Sequence, residues 1–517
     1  MLALGAGFLD DSVMADGFRP VDRDQRFLLP PSVDEYVRSD DPVRFVVDAV
    51  AMLDLSEFVA RYRLGGRGRR AYSPEMMVGL LLWAFSNRVL SSREIERRCE
   101  SDLRFRFVTG NEVPDHATIA RFRRNHEEAL KGLHFQVLAM CARAGLVRVG
   151  AVFLDGTKVA APASKDNNRT MDWLDEQIAE WFRDAERADV ADDDEFGERR
   201  GDETPDDVKA KEARLARLRE ARDWLAADHQ ANGATTVSGR PRRVNVTDPE
   251  SSLLPVRGGW TQGYNAQAVA TIDRVVIATA VTASPADTTE LLPMIGATRA
   301  ALDQAGLDTH VVEHVVADNG YWSTDNIAAN TTAGGPALLI ATAKAHKVAQ
   351  LAEPDTTPAP AAEEPEWANQ RRRRIEALEQ WATGEIDYRQ AAAHAGVKTA
   401  RIYELRNLWL ADPTDPLGVG PPPPPRPSRT ADALAAMRAR LASPDGKALY
   451  RQRSPNIEGV FADRKQRLGF RRFTRTGASA AASEWSLINT AGNLDKIHRA
   501  LTGLTNTLAG NIPTTTA

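Results

Sequence analysis

Three acidic residues lie in local sequences that suit metal-dependent chemistry. Asp155 follows the apolar residues 151–154 and Asp318 follows a histidine and the apolar residues 315–317, so each is predicted to end a strand. Glu458 lies in a basic stretch for which a helix is predicted. A single aspartate at a strand end is more often a turn residue or a helix cap. Three carboxylates that meet, however, could hold a pair of magnesium ions for phosphodiester chemistry.

The composition narrows the classes of protein. A chain of 517 residues is long enough for several domains, because one hydrophobic core rarely grows beyond about 300 residues. The net charge of -5 hides separate basic and acidic segments, so it does not argue against a nucleic-acid partner. Only Cys99 and Cys141 are present, which excludes a disulfide framework and favours a reducing cytoplasm. No apolar run approaches the roughly 20 residues of a membrane helix, and Met14 is an alternative start.

Residues 18–149 have the pattern of a helical domain. Helices are predicted to start after the acidic pair 40–41, at 73–75 and at a capping box beginning at 91, and a basic helix starts at His116. Arg121, Arg123 and Arg124 on that last helix could contact DNA phosphates. A helical bundle with a solvated basic face is an equally good interpretation of this segment.

An α/β sheet is predicted after residue 149, because the apolar pattern changes to that of strands. The predicted crossover helix, 287–305, lies between the third and fourth strands, and both aspartates then fall at carboxyl ends of strands, where ligands bind in such sheets. The predicted strands are 151–154, 264–272, 275–282, 314–317 and 337–342.

Two insertions interrupt this pattern. The first, 165–240, is highly charged, with a loop-like acidic run at 189–206 and a helix at 207–228, and it is predicted to form a helical hairpin. The second, 346–446, contains two proline-rich spacers. Between the spacers, 388–406 has the spacing of a helix-turn-helix, with Lys398 and Arg401 facing outward. A DNA-reading module and a plain helical pair are equally compatible with this spacing.

The C-terminal segment carries the most specific pattern, Tyr450-x2-Arg453-x4-Glu458-x6-Lys465. Seven residues separate the glutamate from the lysine, so on a helix both project from one face. Together with the other motifs, this segment resembles the DDE transposases of bacterial insertion sequences. The remaining motifs that carry the resemblance are the start at Leu28, the segments 154–158 and 317–321, and Asp248-Pro249-Glu250 followed by 263–267.

The resemblance implies a ribonuclease-H-like core, a mixed sheet flanked by helices, with an all-α N-terminal domain. It places the catalytic, metal-binding triad on Asp155, Asp318 and Glu458, with two Mg²⁺ ions for which Mn²⁺ could substitute. It implies that Arg453 and Lys465 contact phosphate or orient carboxylates, and that Tyr450 positions a DNA end. The expected partners are double-stranded DNA and a second copy of the chain, as a homodimer or higher oligomer, in a bacterial cytoplasm near the nucleoid.

Two other functions remain open from the sequence. One is a DNA-binding regulator descended from a transposase, which would predict a damaged triad, whereas all three positions are acidic here. The other is a magnesium-dependent nuclease that cuts without joining strands. The chain is expected to begin with a disordered segment or extension, 1–17, followed by a helical DNA-binding domain, 18–149. The catalytic core is expected to comprise 150–164, 241–345 and 447–500, interrupted by the insertions 165–240 and 346–446 and followed by a tail, 501–517.

Overall fold

The computed structural model describes residues 32–62, 70–196, 206–342, 366–411 and 429–510. The start of the chain, including the motif at Leu28, and both proline-rich spacers lie outside these residues. Within the described ranges, no helix combines the length and apolar character that a bilayer crossing requires.

Eight helices lie in the described residues 32–62 and 70–143, and they begin close to the predicted positions. Asp41 caps the second helix by accepting a hydrogen bond from the Val43 amide at 3.1 Å, and Asp115 caps the basic helix in the same way. The predicted capping box at Ser91 does not form, because Glu94 pairs with Arg98 instead. These helices are α1 (Val33–Tyr36), α2 (Pro42–Ala51), α3 (Ser56–Val59), α4 (Pro74–Ser86), α5 (Ser92–Ser101), α6 (Leu103–Thr109), α7 (His116–Asn125) and α8 (Glu127–Arg143).

A six-stranded mixed sheet follows, as predicted for an α/β protein. Its order is β4-β5-β1-β7-β8, and β6 also pairs with β5. β1 is antiparallel to β5 and parallel to β7, which is parallel to β8. The strands are β1 (Ala151–Ala160), β4 (Ser252–Val256), β5 (Gly259–Thr271), β6 (Val276–Thr282), β7 (His314–Ala317) and β8 (Ala337–Ile340), and a separate pair is formed by β2 (Asn168–Arg169) and β3 (Val244–Asn245).

The secondary structure differs from the predictions in three places. β1 does not end at Asp155 but continues to Ala160, because its second half pairs with β5 along residues 263–267. β4 was not predicted; its proline at position 255 and its exposed side chains hide it in the sequence. The crossover helix begins later than predicted, as α11 (Leu291–Gln304) after a short 3₁₀ turn, and α12 (Thr324–Thr332) precedes β8.

One hydrophobic core joins the N-terminal helices, the sheet and the long last helix. Its members include Leu81 of α4, Phe153 of β1 and Trp485, all almost fully buried. The indole nitrogen of Trp485 donates a hydrogen bond to the Gln267 carbonyl of β5 at 2.8 Å. The C-terminal segment is therefore fixed directly to the face of the sheet.

The first insertion forms the predicted helical hairpin, α9 (Met171–Phe196) and α10 (Asp206–Asn232). Leu174, Leu218 and Leu225 pack together in a small apolar cluster of its own. The acidic run was predicted to be a loop from 189 onward, but α9 is helical through Phe196; residues 197–205 lie outside the described residues.

The second insertion also has its own apolar cluster, separate from the main core. Ala392, Ile402 and Leu405 are buried as predicted, and Gly396 has a φ of 65° at the turn between the two predicted helices. A third helix completes the cluster, while another leads on to the C-terminal segment. The helices are α13 (Glu366–Ala382), α14 (Tyr388–His394), α15 (Thr399–Ala411) and α16 (Arg429–Ala442).

The C-terminal segment is not one helix. It consists of α17 (Pro444–Arg451), a π-helical turn (Ser454–Glu458), α18 (Gly459–Ala462), a second π-helical turn (Asp463–Arg467) and α19 (Ala478–Gly510). Arg464 in the second π turn is 1% exposed, and its Nε donates to Asn489 of α19 at 3.1 Å. Gly492 of α19 makes room for this guanidinium.

We expect Gly492→Ala to destabilise the protein by about 3 kcal/mol or more, since the new methyl group would overlap a buried, paired guanidinium. Thermal unfolding followed by circular dichroism measures the effect as a lower melting temperature. Gly296→Ala in α11 is the matched control, because its methyl group would meet open space. Equal melting temperatures for the two variants would contradict the packing described.

Candidate active site

The two aspartates of the predicted triad lie on neighbouring strands. Asp155 is in the middle of β1, and Asp318 directly follows β7. β1 and β7 pair in parallel, with Phe153 opposite Val316, and the same register continued for two residues aligns Asp155 with Asp318. The Asp318 carboxylate also accepts a hydrogen bond from the Gly320 amide at 2.8 Å, which fixes its orientation.

Arg453 connects Asp155 to the third acidic residue. Its Nη1 lies 2.9 Å from Asp155 Oδ2, and its Nη2 lies 3.1 Å from Glu458 Oε1. The side chains of Arg453 and Asp155 are only 14% and 15% exposed, whereas Glu458 is 52% exposed. The guanidinium therefore lies between two members of the predicted triad and pairs with both.

The π-helical turn explains how Arg453 and Glu458 reach each other. They are five residues apart, a spacing that an α-helix would place on different faces but that matches the i to i+5 repeat of a π-helix. Ser454 Oγ also donates to Glu458 Oε2 at 2.8 Å. Single turns of this kind inside α-helices are frequent at functional sites.

Burial and neighbouring charges change the acidity of the site. Burial raises the pKa of Asp155 to about 6; the nearby Arg453 opposes this rise and Asp318 adds to it. Burial, together with Asp287, raises the pKa of Asp318 above its usual range. The pKa of Arg453 is raised because the neighbouring carboxylates outweigh the effect of its burial. The site thus concentrates negative charge in a poorly solvated position.

Lys465 contacts β1, and Tyr450 lies close to Arg453. The Lys465 amine donates to Thr157 Oγ1 at 2.5 Å and to the Lys158 carbonyl at 2.9 Å, so it supports β1 immediately after Asp155. Burial lowers its pKa. Tyr450 packs against the main core, and burial raises the pKa of its phenol.

A fourth acidic residue, Asp287, was missed by the sequence analysis. Its Oδ1 accepts hydrogen bonds from Asn265 Nδ2 at 2.6 Å and from Gln267 Nε2 at 2.9 Å, and Lys158 Nζ lies 3.7 Å away. In sequence it looked like the first residue of a helix. Its partners Asn265 and Gln267 lie in the segment 263–267, which carries part of the family resemblance. That segment is the sequence signal that could have indicated a site at this position.

The predicted DNA-contacting arginines of α7 have different environments. Arg121 and Arg124 are exposed, as are Lys398 and Arg401 in the second insertion. Arg123 is only 3% exposed, and its Nη2 lies 2.7 Å from Glu484 Oε1 of α19 and 3.0 Å from Thr474 Oγ1. The prediction of a DNA contact is therefore corrected for Arg123, which forms an internal ion pair instead.

Comparison with known proteins identifies two segments. Residues 31–125 match the model of a transposase domain, DUF772, and residues 426–498 match the model of a transposase DDE domain. The resemblance to the DDE transposases of insertion sequences is confirmed. No curated protein and no solved structure matches the chain. The DDE match contains Tyr450, Arg453, Glu458 and Lys465, whereas the two aspartates lie outside it.

The side chains that meet here fit a divalent cation only in part. Four carboxyl groups, on Asp155, Asp287, Asp318 and Glu458, face two cationic side chains, those of Arg453 and Lys158. Asn265 is fully buried, and its Oδ1 accepts no hydrogen bond within the described part of the chain. Among the described residues, however, no three His, Cys, Asp or Glu side chains are grouped closely enough to enclose a metal, and Arg453 separates Glu458 from Asp155.

We expect Lys465→Met to lower the free energy of unfolding by about 1.5–3 kcal/mol, because two hydrogen bonds from a charged donor are lost. Thermal unfolding is the measurement, with Lys447→Met as the control for loss of a lysine from the same segment. A variant that melts normally but binds DNA more weakly would contradict this structural role.

Proposed function

We propose that the chain is a transposase that binds the terminal inverted repeats of its insertion sequence and catalyses metal-dependent DNA cleavage and strand transfer. We also infer that its sheet is a ribonuclease-H-like core. The antiparallel series β6-β5-β1 followed by the parallel strands β7 and β8 supports this inference.

The ion pairs of Arg453 are the observation that carries the proposal. Asp155 lies outside both matched segments, yet its carboxylate pairs with an arginine 298 residues later, inside the DDE match. The same arginine pairs with Glu458. The predicted catalytic Asp155 is thus in direct contact with the segment that matches the DDE domain.

Asp155, Asp318 and Glu458 would hold two Mg²⁺ ions, or Mn²⁺ in their place, which activate the attacking oxygen and stabilise the leaving oxygen. The chain's own groups have separate tasks. Arg453 neutralises Asp155 and Glu458 when no cation is bound. For both carboxylates to bind a metal, the guanidinium must move away from at least one of them. Lys465 keeps the second half of β1 in place, so that Asp155 stays beside Asp318.

DNA would be bound at several surfaces. Arg121 and Arg124 on α7 and Lys398 and Arg401 near the start of α15 are exposed cations that could contact phosphates. Tyr450 would position a DNA end next to the carboxylates. A transposase must hold two element ends at once, so we propose that the active form is at least a homodimer.

We expect Asp155→Asn to abolish both cleavage and joining of terminal inverted repeats, because it removes a metal-binding charge while keeping the shape of the side chain. DNA binding, measured by gel shift, should be unchanged. Asp303→Asn on the exposed side of α11 is the control and should retain both reactions. Cleavage retained in Asp155→Asn would contradict the assignment of the triad. Wild-type protein that cuts DNA but never joins it would indicate a nuclease. Wild-type protein that only binds DNA would indicate a regulator.

We expect the double variant Lys398→Ala and Arg401→Ala to bind double-stranded DNA more weakly. The slope of the logarithm of the binding constant against the logarithm of the salt concentration should become less steep by about 2, roughly one unit for each phosphate contact. Fluorescence anisotropy at several salt concentrations measures both quantities. The double variant Arg183→Ala and Arg187→Ala in the first insertion removes the same charge from another exposed helix. Identical salt slopes for the two double variants would show that α15 does not contact the DNA backbone.

A further inference from the structure

Asp287 is held at the edge of the proposed active site by groups from β5. Both hydrogen bonds from Asn265 and Gln267 go to the same oxygen, Oδ1. The second oxygen, Oδ2, faces Gly320 and Asp318: a methyl group placed on Gly320 would lie 3.1 Å from Asp287 Oδ2 and 3.0 Å from Asp318 Oδ1. Two carboxylate oxygens from different elements therefore border one small space.

A second observation points to a ligand in this region. Asn265 is fully buried, and its amide nitrogen donates to Asp287, which orients its Oδ1 toward Gly156. That oxygen accepts no hydrogen bond from any described residue. A buried carbonyl oxygen without a donor is destabilising, so a partner is expected to satisfy it.

The glycines beside the two aspartates allow Asp287 and its partners to approach closely. A methyl group on Gly156 would overlap Gln267 Nε2 and would lie 2.8 Å from Asn265 Oδ1 and 2.9 Å from Asp287 Oδ1, closer than side-chain carbon atoms normally approach. Gly156 directly follows Asp155, and Gly320 follows Asp318 by two residues. Each aspartate thus has a nearby glycine against which the side chain of Asp287 packs.

We propose that Asp287 is a fourth carboxylate ligand of the divalent cation site, binding together with Asp318. Carboxylate and amide oxygens are the ligands that hard divalent cations prefer. The two amide donors hold one oxygen of Asp287 and leave the other directed at Asp318, and Lys158 limits the charge of the site when no cation is present. This inference rests on the proposed function, because it assigns a further ligand to the same site.

Mn²⁺ binding to the full-length protein without DNA tests the proposal. Electron paramagnetic resonance reports the free Mn²⁺ that remains during a titration, and it requires no catalysis. We expect Asp287→Asn to weaken Mn²⁺ binding at least about tenfold, the loss typical when groups that support a metal site are removed. Asparagine keeps an oxygen that can accept the hydrogen bonds from Asn265 and Gln267, so the fold should be retained.

Three companion variants make the result decisive. Asp318→Asn should also weaken Mn²⁺ binding, whereas Asp303→Asn on the surface should not. Asp287→Ser is a second variant at the same position. Mn²⁺ affinity is compared for the Asp287 variant whose melting temperature, measured without metal, equals that of the unmodified protein. Unchanged Mn²⁺ affinity in that variant, with weakened binding in Asp318→Asn, would overturn the role of Asp287 alone. Unchanged affinity in Asp318→Asn would instead overturn the metal site of the proposed function.

Discussion

The paired contacts of Arg453 are the interaction on which the rest of the site depends. One guanidinium bonds to Asp155 in the sheet and to Glu458 in the C-terminal segment, at 2.9 and 3.1 Å. Removing one partner of a poorly exposed ion pair typically costs about 3–5 kcal/mol, since the remaining charge has no counterion. The arginine thus stabilises an arrangement in which acidic groups from separate parts of the chain stay close together, although each repels the others.

The surrounding structure holds both ends of this interaction in place. Trp485 ties α19 to β5, and the buried Arg464 ties the second π-helical turn to α19. Arg123 and Glu484 form a third link, between the N-terminal helices and α19, with both side chains almost fully buried. Because all three links involve α19 or the segment before it, the position of Glu458 relative to β1 is set by a continuous core rather than by local sequence alone.

Local sequence was sufficient for some features and insufficient for others. Asp318 follows three buried apolar residues, 315–317, and its strand could be predicted because these residues are both apolar in the sequence and buried in the sheet. The extent of β1 could not be predicted, since Gly156, Thr157 and Lys158 form part of the strand only through pairing with β5. The burial of Arg123 depends on Glu484, 361 residues later, and no local pattern contains that information.

We propose that one cation binds between Asp155 and Asp318 and competes with Arg453 for the Asp155 carboxylate. The most direct measurement is a crystal structure of the full-length protein soaked with Mn²⁺, in which anomalous scattering locates the ion. We expect an Mn²⁺ peak contacting both Asp155 and Asp318, with Arg453 moved away from Asp155 Oδ2. An Mn²⁺ peak elsewhere, with the Arg453 ion pairs intact, would contradict it.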